Sequence, residues 1–551
     1  MPRNFVLLVT LAAGLVAAGR SHAEESAPPH LAGYLNHADF SAAVQELGRS
    51  ELVEVKSLGK SAGGRDVWLV TIAQGKPETK PAIAIVGSLP GRHLAGSEIA
   101  LRIARQIVQK GENDEGVKQL LTAVTLYIIP RPDPDASEKC FAKPYRVPVG
   151  NDRKTDDDRD FEFGEDPPND LNGDGFITQM RIEDPAGTLI PHPDDPRVLI
   201  EADPKKNERG KYRLLTEGID DDGDEEWNED AGDGVAFDHN FTFGYRPFTA
   251  NTGPNAVSEN ESRVIADFLF DRTNIAVVYT FSLDDNLFHP WKPNPQTERE
   301  RIRRNILSSD AAAHGAFSRW AYFHYGRWSL NARPWWVPKT EAKKEEAKDG
   351  ENKEEKTEEK KPSGEKRGAD QINLLRWLDA KQIDGFVDWK EIEHPDFPGK
   401  KVEVGGFKPL VDLNPPAAEL DKLAEKQLAF LQKLPDYLPK LELREATAKS
   451  LGGGVFRVQA VAANTGYLPT MPEMGAVNGM QQLLQIAIDV PQDTVFLQGH
   501  RRMEVRPLPG VTGKREFTWL VRFPAQVPES IELRLWSPAV GEVKTQLEVK
   551  E

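Results

Sequence analysis

Residues 81–98 read P-A-I-A-I-V-G-S-L-P-G-R-H-L-A-G-S-E, and the fold is decided there. Pro81 to Ser88 is an unbroken run of apolar and small residues, the pattern of a strand covered on both faces. A helix is predicted from about Ser97 to Lys110, because Ile99, Ile103 and Ile107 recur on one helical face. Thr122 to Pro130 is a second buried strand. Strand, helix and strand in succession predict an α/β sheet. Working outward, Asp39–Leu47 has a helical pattern, and Glu51–Val55 and Val67–Ile72 read as strands joined across Ala62-Gly63-Gly64. Ser258–Asp271 resumes helix, Ile275–Ser282 strand, and Glu298–Tyr325 a long helix. The expected fold class is α/β, a mixed and mostly parallel sheet flanked by helices.

The chain has 551 residues and a formal net charge of −17. That charge argues against a nucleic-acid binder, which needs a basic face to neutralise phosphates. It also disfavours adsorption to anionic membrane surfaces. Residues 1–23 read as a secretory signal peptide: Arg3, an apolar run from Phe5 to Ala18, and the small-x-small site Ser21-His22-Ala23. An N-terminal membrane anchor is the alternative. No other stretch approaches the ~18 consecutive apolar residues of a span. The expected location is therefore secreted, periplasmic or at the cell envelope, without a membrane span once the signal is removed. Cys140 is the sole cysteine, so no intramolecular disulfide can form.

Between Asp133 and Val235 the α/β pattern breaks, and residues 150–233 form an acidic insert. Three segments place side-chain oxygens at alternate positions: Asp156, Asp158, Asp160; Asp170, Asn172, Asp174; and Asp220, Asp222, Asp224. Calcium takes six to eight hard oxygen ligands, and such spacing wraps a loop around one ion. Gly175 supplies the sharp turn in the second loop, but Arg181 stands where an EF-hand would place its bidentate glutamate. The alternative is a solvated acidic surface. Residues 337–370 are a charged low-complexity loop, with nothing to bury. Residues 371–440 read as a connector containing one helix, Leu420–Leu434. From residue 441 to 551, short β-rich runs recur at Val455–Ala462, Gln482–Asp489, Thr494–Gln498, Phe517–Phe523, Ile531–Trp536 and Val543–Val549, the spacing of a β-sandwich.

Five ordered motifs between Tyr34 and Trp336 resemble the zinc carboxypeptidases of the carboxypeptidase A type. Ala84 to Glu98 resembles the strand-loop-helix that carries that family's His-x-x-Glu zinc pair. Ile128 to Glu138, I-I-P-R-P-D-P-D-A-S-E, resembles its Asn-Pro-Asp-Gly segment. Gly234 to Phe241, G-V-A-F-D-H-N-F, resembles the stretch that grips the substrate's C-terminal carboxylate. Phe281 to Pro290 resembles the segment opening on the third zinc ligand, and Arg319 to Arg333 the run ending in the catalytic glutamate. The resemblance implies a carboxypeptidase-like α/β domain over 24–336, in a bacterial branch with the acidic insert and a C-terminal β-domain.

It also implies a ligand set, which the residues do not supply. Zinc would need His, Glu and His with an open position for water. Pro90 holds the first position, His93 the second and Phe281 the third, and only His93 can ligate. The carboxylate-gripping positions hold Asp238 and His239, a poor substitute for a bidentate guanidinium. The catalytic glutamate position holds Arg333, which cannot act as a base at neutral pH. The expectation is a protein without zinc at the usual site, its catalysis lost, serving as a peptide- or envelope-binding or structural module. The alternative is an active metallocarboxypeptidase with a relocated metal site drawn from His93, Asp238, His239, Asp284, Asp285 and His289. A third reading is a purely structural calcium-dependent scaffold. Ser282 and Ser329 lack the sequence context of a nucleophile. Trp320, Tyr322, Trp328, Trp335 and Trp336 form an aromatic group in which Trp335-Trp336 is the candidate ligand platform.

Overall fold

The computed structural model describes residues 27–155, 164, 166–223, 225, 227–228, 234–291, 314–340 and 367–550. The predicted signal peptide, Asp156, Asp158, Asp160, Asp224 and most of the low-complexity loop lie outside the described residues.

Helix α1 (His37–Leu47) begins at Asn36, whose side chain accepts from the Asp39 amide, a cap that satisfies one of the helix's free donors. The hairpin β1 (Val53–Lys60) and β2 (Asp66–Ile72) leads to β3 (Ala82–Leu89), every residue of which is buried. Helix α2 (Leu94–Lys110) turns its isoleucine face to the sheet, and α3 (Glu115–Ala123), β4 (Thr125–Ile129) and α4 (Pro134–Lys139) follow. The insert contributes β5 (Gln179–Glu183), β6 (Leu189–Pro191), β7 (Leu199–Glu201) and β8 (Tyr212–Thr216). Helix α5 (Asn260–Asp271), β9 (Ile275–Ser282), helix α6 (Phe317–Phe323) and β10 (Trp328–Ala332) complete the central layer.

The central sheet runs β1-β2-β4-β3-β9-β10. The pairs β1–β2 and β2–β4 are antiparallel, and β4–β3, β3–β9 and β9–β10 are parallel. This is the mixed α/β sheet read from the sequence. Two apolar clusters cover its two faces. One gathers α1, α2 and α3; the other gathers α5, α6 and the aromatic residues Phe237, Phe241 and Phe243.

The long helix expected over Glu298–Tyr325 is not what the described residues show. Residues 292–313 lie outside them, and the helix that is described covers only Phe317–Phe323. Glycines bound it: Gly315 (φ +67°) sits where a Cβ would lie 2.4 Å from the His239 carbonyl, and Gly326 (φ +71°) turns the chain into β10.

Residues 371–440 are more than a connector. Helix α7 (Ala369–Lys381) leads into β11 (Phe386–Ile392) and β12 (Val402–Phe407), which join the insert in a six-stranded sheet of order β11-β12-β5-β8-β6-β7. Helix α8 (Leu420–Tyr437) then returns to the α/β core, where Leu428 and Leu431 are buried in the cluster beneath α2. The insert is thus a folded layer completed by a segment two hundred residues downstream.

The C-terminal part consists of β13 (Leu441–Gly452), β14 (Val455–Asn464), helix α9 (Glu473–Asn478), β15 (Leu484–Asp489), β16 (Val495–Gln498), β17 (Arg502–Val505), β18 (Gly513–Arg522), β19 (Ser530–Ser537) and β20 (Gly541–Glu548). They form two four-stranded antiparallel sheets, β13-β14-β18-β16 and β17-β15-β19-β20. Alternate residues of both sheets, among them Phe456, Trp519, Ile486 and Leu533, share one apolar core. No helix among the described residues is long and apolar enough to cross a membrane.

Candidate functional site

The loop after β3 is built for close approach. A Cβ on Gly96 would lie 2.7 Å from the Ser88 amide nitrogen and 3.0 Å from the Phe281 Cβ, so α2 begins almost in contact with two strand ends. Ser88 takes a left-handed backbone (φ 59°), and the Leu89–Pro90 peptide is cis. The Ser88 hydroxyl lies 3.0 Å from the carbonyls of Gly91 and His93. Ser137 donates to the Gly91 carbonyl at 2.8 Å, and Asn414 bridges the Arg92 carbonyl and the Ala95 amide. Residues 88–95 are therefore fixed by hydrogen bonds from three directions.

That rigid loop carries Pro90 and His93. The His93 ring is fully buried, and among the described residues neither ring nitrogen has a hydrogen-bond partner. Burial pushes its pKa down to about 3, and the nearby Arg333 and Arg92 push the same way. Phe281, at the end of β9, is fully buried in the apolar core, edge-on to Tyr279.

These residues do not fit a zinc ion. Proline and phenylalanine offer no donor atom, and one imidazole cannot hold the metal alone. The charges that act on that imidazole are the Arg333 and Arg92 guanidinium groups, which repel a dication. Among the described residues, no group of three or more His, Cys, Asp or Glu side chains is arranged to hold a metal ion.

Asp238 is buried and structural. Its carboxylate accepts from the Phe317 amide at 2.8 Å, tying the turn Phe237–His239 to the start of α6. Burial, helped by Asp284, lifts its pKa to about 7, against the pull of Arg319 and Arg92. His239, its neighbour, is half-buried. Asp284 pairs with the buried Arg319 at 2.9 Å. Asp285 accepts from the amides of Phe288 and Arg333, closing the turn beyond β9. His289 is exposed, ring-to-edge with Phe288. Of the candidates for a relocated metal site, Asp238, Asp284 and Asp285 are thus committed to separate structural contacts.

Arg333 leaves the end of β10. Its Nε donates to the Trp335 carbonyl at 3.2 Å, and its guanidinium carbon lies 4.1 Å from the centre of the Trp336 ring. Burial draws its pKa down, while Asp412, Asp285 and Asp370 oppose that at longer range. Among the described residues no carboxylate lies within ion-pair distance of it. The aromatic group is divided by the fold. Trp320 belongs to the core, and Trp335 is buried against Trp377 at 5.5 Å. Trp336 remains 49% exposed.

Arg333 and Trp336 open on a cavity of about 1360 Å³. Its walls are the insert sheet (Gln179 and Leu214–Thr216), the start of α7 (Asp370–Leu374) and the segment Lys408–Asp412. None of Pro90, His93, Asp238, His239 or Phe281 lines it. Sequence reasoning missed this cavity because three of its walls come from segments read as insert, low-complexity loop and connector.

The two described acidic loops each wind round their first aspartate. Asp170 accepts from the amides of Gly173, Asp174 and Gly175, and Asp220 from those of Gly223 and Glu225. Asn172 and Asp174 each accept a further amide. Asn169 bridges to Asp221, and buried Glu217 accepts from the amides of Leu171 and Thr178, so the two loops lie side by side.

Residues 41–173 match the family described as zinc carboxypeptidase, and residues 440–548 match a domain of unknown function. A zinc carboxypeptidase of Saccharothrix mutabilis subsp. capreolus is 28% identical over 113 residues, 19% of this chain and 26% of that protein. Carboxypeptidase E of Caenorhabditis elegans is 28% identical over 126 residues, 22% of this chain and 26% of that protein. The chain thus spans about a quarter of the length of the curated relatives it matches. Among solved structures, the carboxypeptidase A from Helicoverpa armigera aligns with 54% of this chain and 63% of its own, at 15% identity and a TM-score of 0.31. Thrombin activatable fibrinolysis inhibitor aligns with 54% and 65%, at 14% identity and a TM-score of 0.31. The chain is carboxypeptidase-like, similar over residues 41–173 to the zinc carboxypeptidase family, with an additional C-terminal region that matches a domain of unknown function.

Proposed function

We propose that this carboxypeptidase-like chain has lost zinc-dependent catalysis and acts as an exported binding module. The observation that carries the reading is the state of His93: buried, unpartnered, and flanked by Arg333 and Arg92 where the family resemblance places a metal and its base. Hydrolysis of a peptide bond in such a site needs an activated water and a group to take its proton. At the position of that group, Arg333 offers only donors, and it holds its charge at neutral pH. What remains is a rigid loop beside a large cavity with a guanidinium and an indole at its mouth, a place to hold a ligand. The peptide or envelope component that fills it would meet Arg333 and Trp336.

Export follows from the reading of residues 1–23. Calcium in the loops at Asp170 and Asp220 belongs to the same proposal, as an ion that stabilises the insert. It is supported by the alternation of side-chain oxygens, and a rise in melting temperature with added Ca2+ but not Mg2+ would test it.

The deciding experiment is an assay of the full chain against a blocked dipeptide, with and without added zinc and with a chelator. No hydrolysis above background is expected under any of these conditions. Chelator-sensitive turnover would overturn the reading in favour of a working carboxypeptidase.

A further inference from the structure

Resting on the binding reading above, the geometry points to an acidic oligosaccharide as the ligand of the cavity, with a sugar carboxylate on Arg333 and a sugar ring against Trp336. Four observations support this. The first is the state of the cation. Among the described residues Arg333 spends only Nε, on the Trp335 carbonyl, and no carboxylate lies within ion-pair distance of it, Asp412, Asp285 and Asp370 acting at longer range. A partly desolvated guanidinium whose terminal N–H groups are uncommitted among the described residues is matched by a carboxylate, which it can take in a two-pronged geometry.

The second is the indole. Trp336 is exposed although it follows a largely buried strand and a buried tryptophan. Arg333 covers one face of the ring at 4.1 Å, and the residue still lines the cavity. An exposed, amphipathic aromatic held rigid beside a cation suits a ring with one polar and one apolar side.

The third is the rest of the wall. Gln179, Thr216 and Gln371 line the cavity with side chains that make no hydrogen bond among the described residues, and Asp370 and Asp412 add acceptors. Amides, a hydroxyl and carboxylates in one chamber offer donors and acceptors to many hydroxyl groups. The last is size. At about 1360 Å³ the cavity exceeds the ~300–1,000 Å³ usual for a small-molecule site, which suits an oligomer. A peptide is the weaker fit, because Asp238 and His239, the positions matching the family's peptide grip, lie outside this cavity.

The test is calorimetry on the full chain with three probes: trigalacturonate, trimannuronate and a hyaluronan tetrasaccharide, each against its methyl ester. At least one acid should bind, and its ester should bind about tenfold or more weakly. Arg333→Gln should weaken binding about 10- to 100-fold and Trp336→Ala about fivefold or more, with Arg333→Lys intermediate. Melting curves of all three variants report whether they are folded, and the exposed position of Trp336 keeps one arm readable if Arg333→Gln fails. The inference is overturned if no acidic probe binds, if acid and ester bind equally, if neither variant weakens binding, or if only the blocked dipeptide binds. Zinc content and dipeptide hydrolysis, read on the same sample, separate the two claims. Stoichiometric zinc with turnover sinks the non-catalytic reading, whereas absent sugar binding without turnover sinks only this one.

Discussion

Replacing His93 by leucine isolates the consequence of a metal position that has become core. In the folded chain the imidazole titrates at about 3, against 6.5 in an open chain. The folded-state pKa is depressed, so between those values the unfolded chain binds a proton that the native one refuses. Stability contributed by His93 is therefore full above pH 6.5 and lost as the pH falls toward 3. At about 1.36 kcal/mol per pKa unit, the loss is about 2.7 kcal/mol at pH 4.5 and about 4.4 kcal/mol at pH 3. Leucine has no such term, and it also removes two buried ring nitrogens that lack partners. An unsatisfied buried polar group costs about 1–3 kcal/mol, so His93→Leu should be neutral or stabilising at pH 7.5. Urea titrations followed by tryptophan fluorescence, at steps from pH 4 to 8, measure the difference between the two proteins, in which all other titrating groups cancel. The gap should widen in favour of leucine as the pH falls. A variant that loses more than about 2 kcal/mol at pH 7.5, or a gap that stays flat with pH, would mean that the imidazole has a partner after all.

Three further outcomes follow from packing and burial. Gly96→Ala places a Cβ 2.7 Å from the Ser88 backbone, so it should cost about 1–3 kcal/mol or more and lower the melting temperature. Glu261 is buried, with its pKa lifted to about 7 by desolvation, a raised folded-state value, so its contribution declines as the pH rises from 4.5 to 7. Glu261→Gln should therefore gain up to about 3 kcal/mol at pH 8 and little at pH 4.5 in urea titrations, unless its bond from Asn151 is lost. Trp519→Ala, in the shared core of the C-terminal sheets, should cost about 3–5 kcal/mol and shift the unfolding of that part first, as read by hydrogen exchange.

The elements legible in the sequence were those whose pattern is local. β3, α2, β4 and β9 are continuous apolar runs or single-faced helices, and their order alone fixed a parallel core. The alternating strands of the C-terminal part were visible for the same reason, although β13, with only intermediate and exposed residues, was not. The insert was opaque because its strands are three to five residues long and the outer partner of β5, β12, lies far downstream. Nothing local in Val402–Phe407 announces pairing with Gln179–Glu183.

The site was legible in residue type but not in environment. That Pro90 and Phe281 cannot bind metal was plain from the letters; that Asp284 serves Arg319 and Asp238 serves Phe317 required the coordinates. The division between Trp335, buried, and Trp336, open to the cavity, turns on where α7 packs, and no periodicity carries that information.

The most direct measurement is the metal content of the full chain after equilibration with excess Zn2+ and gel filtration, for the wild type and His93→Leu side by side. The account predicts well under one zinc per chain in both, with no difference between them. One tightly held zinc in the wild type that disappears in His93→Leu would contradict it.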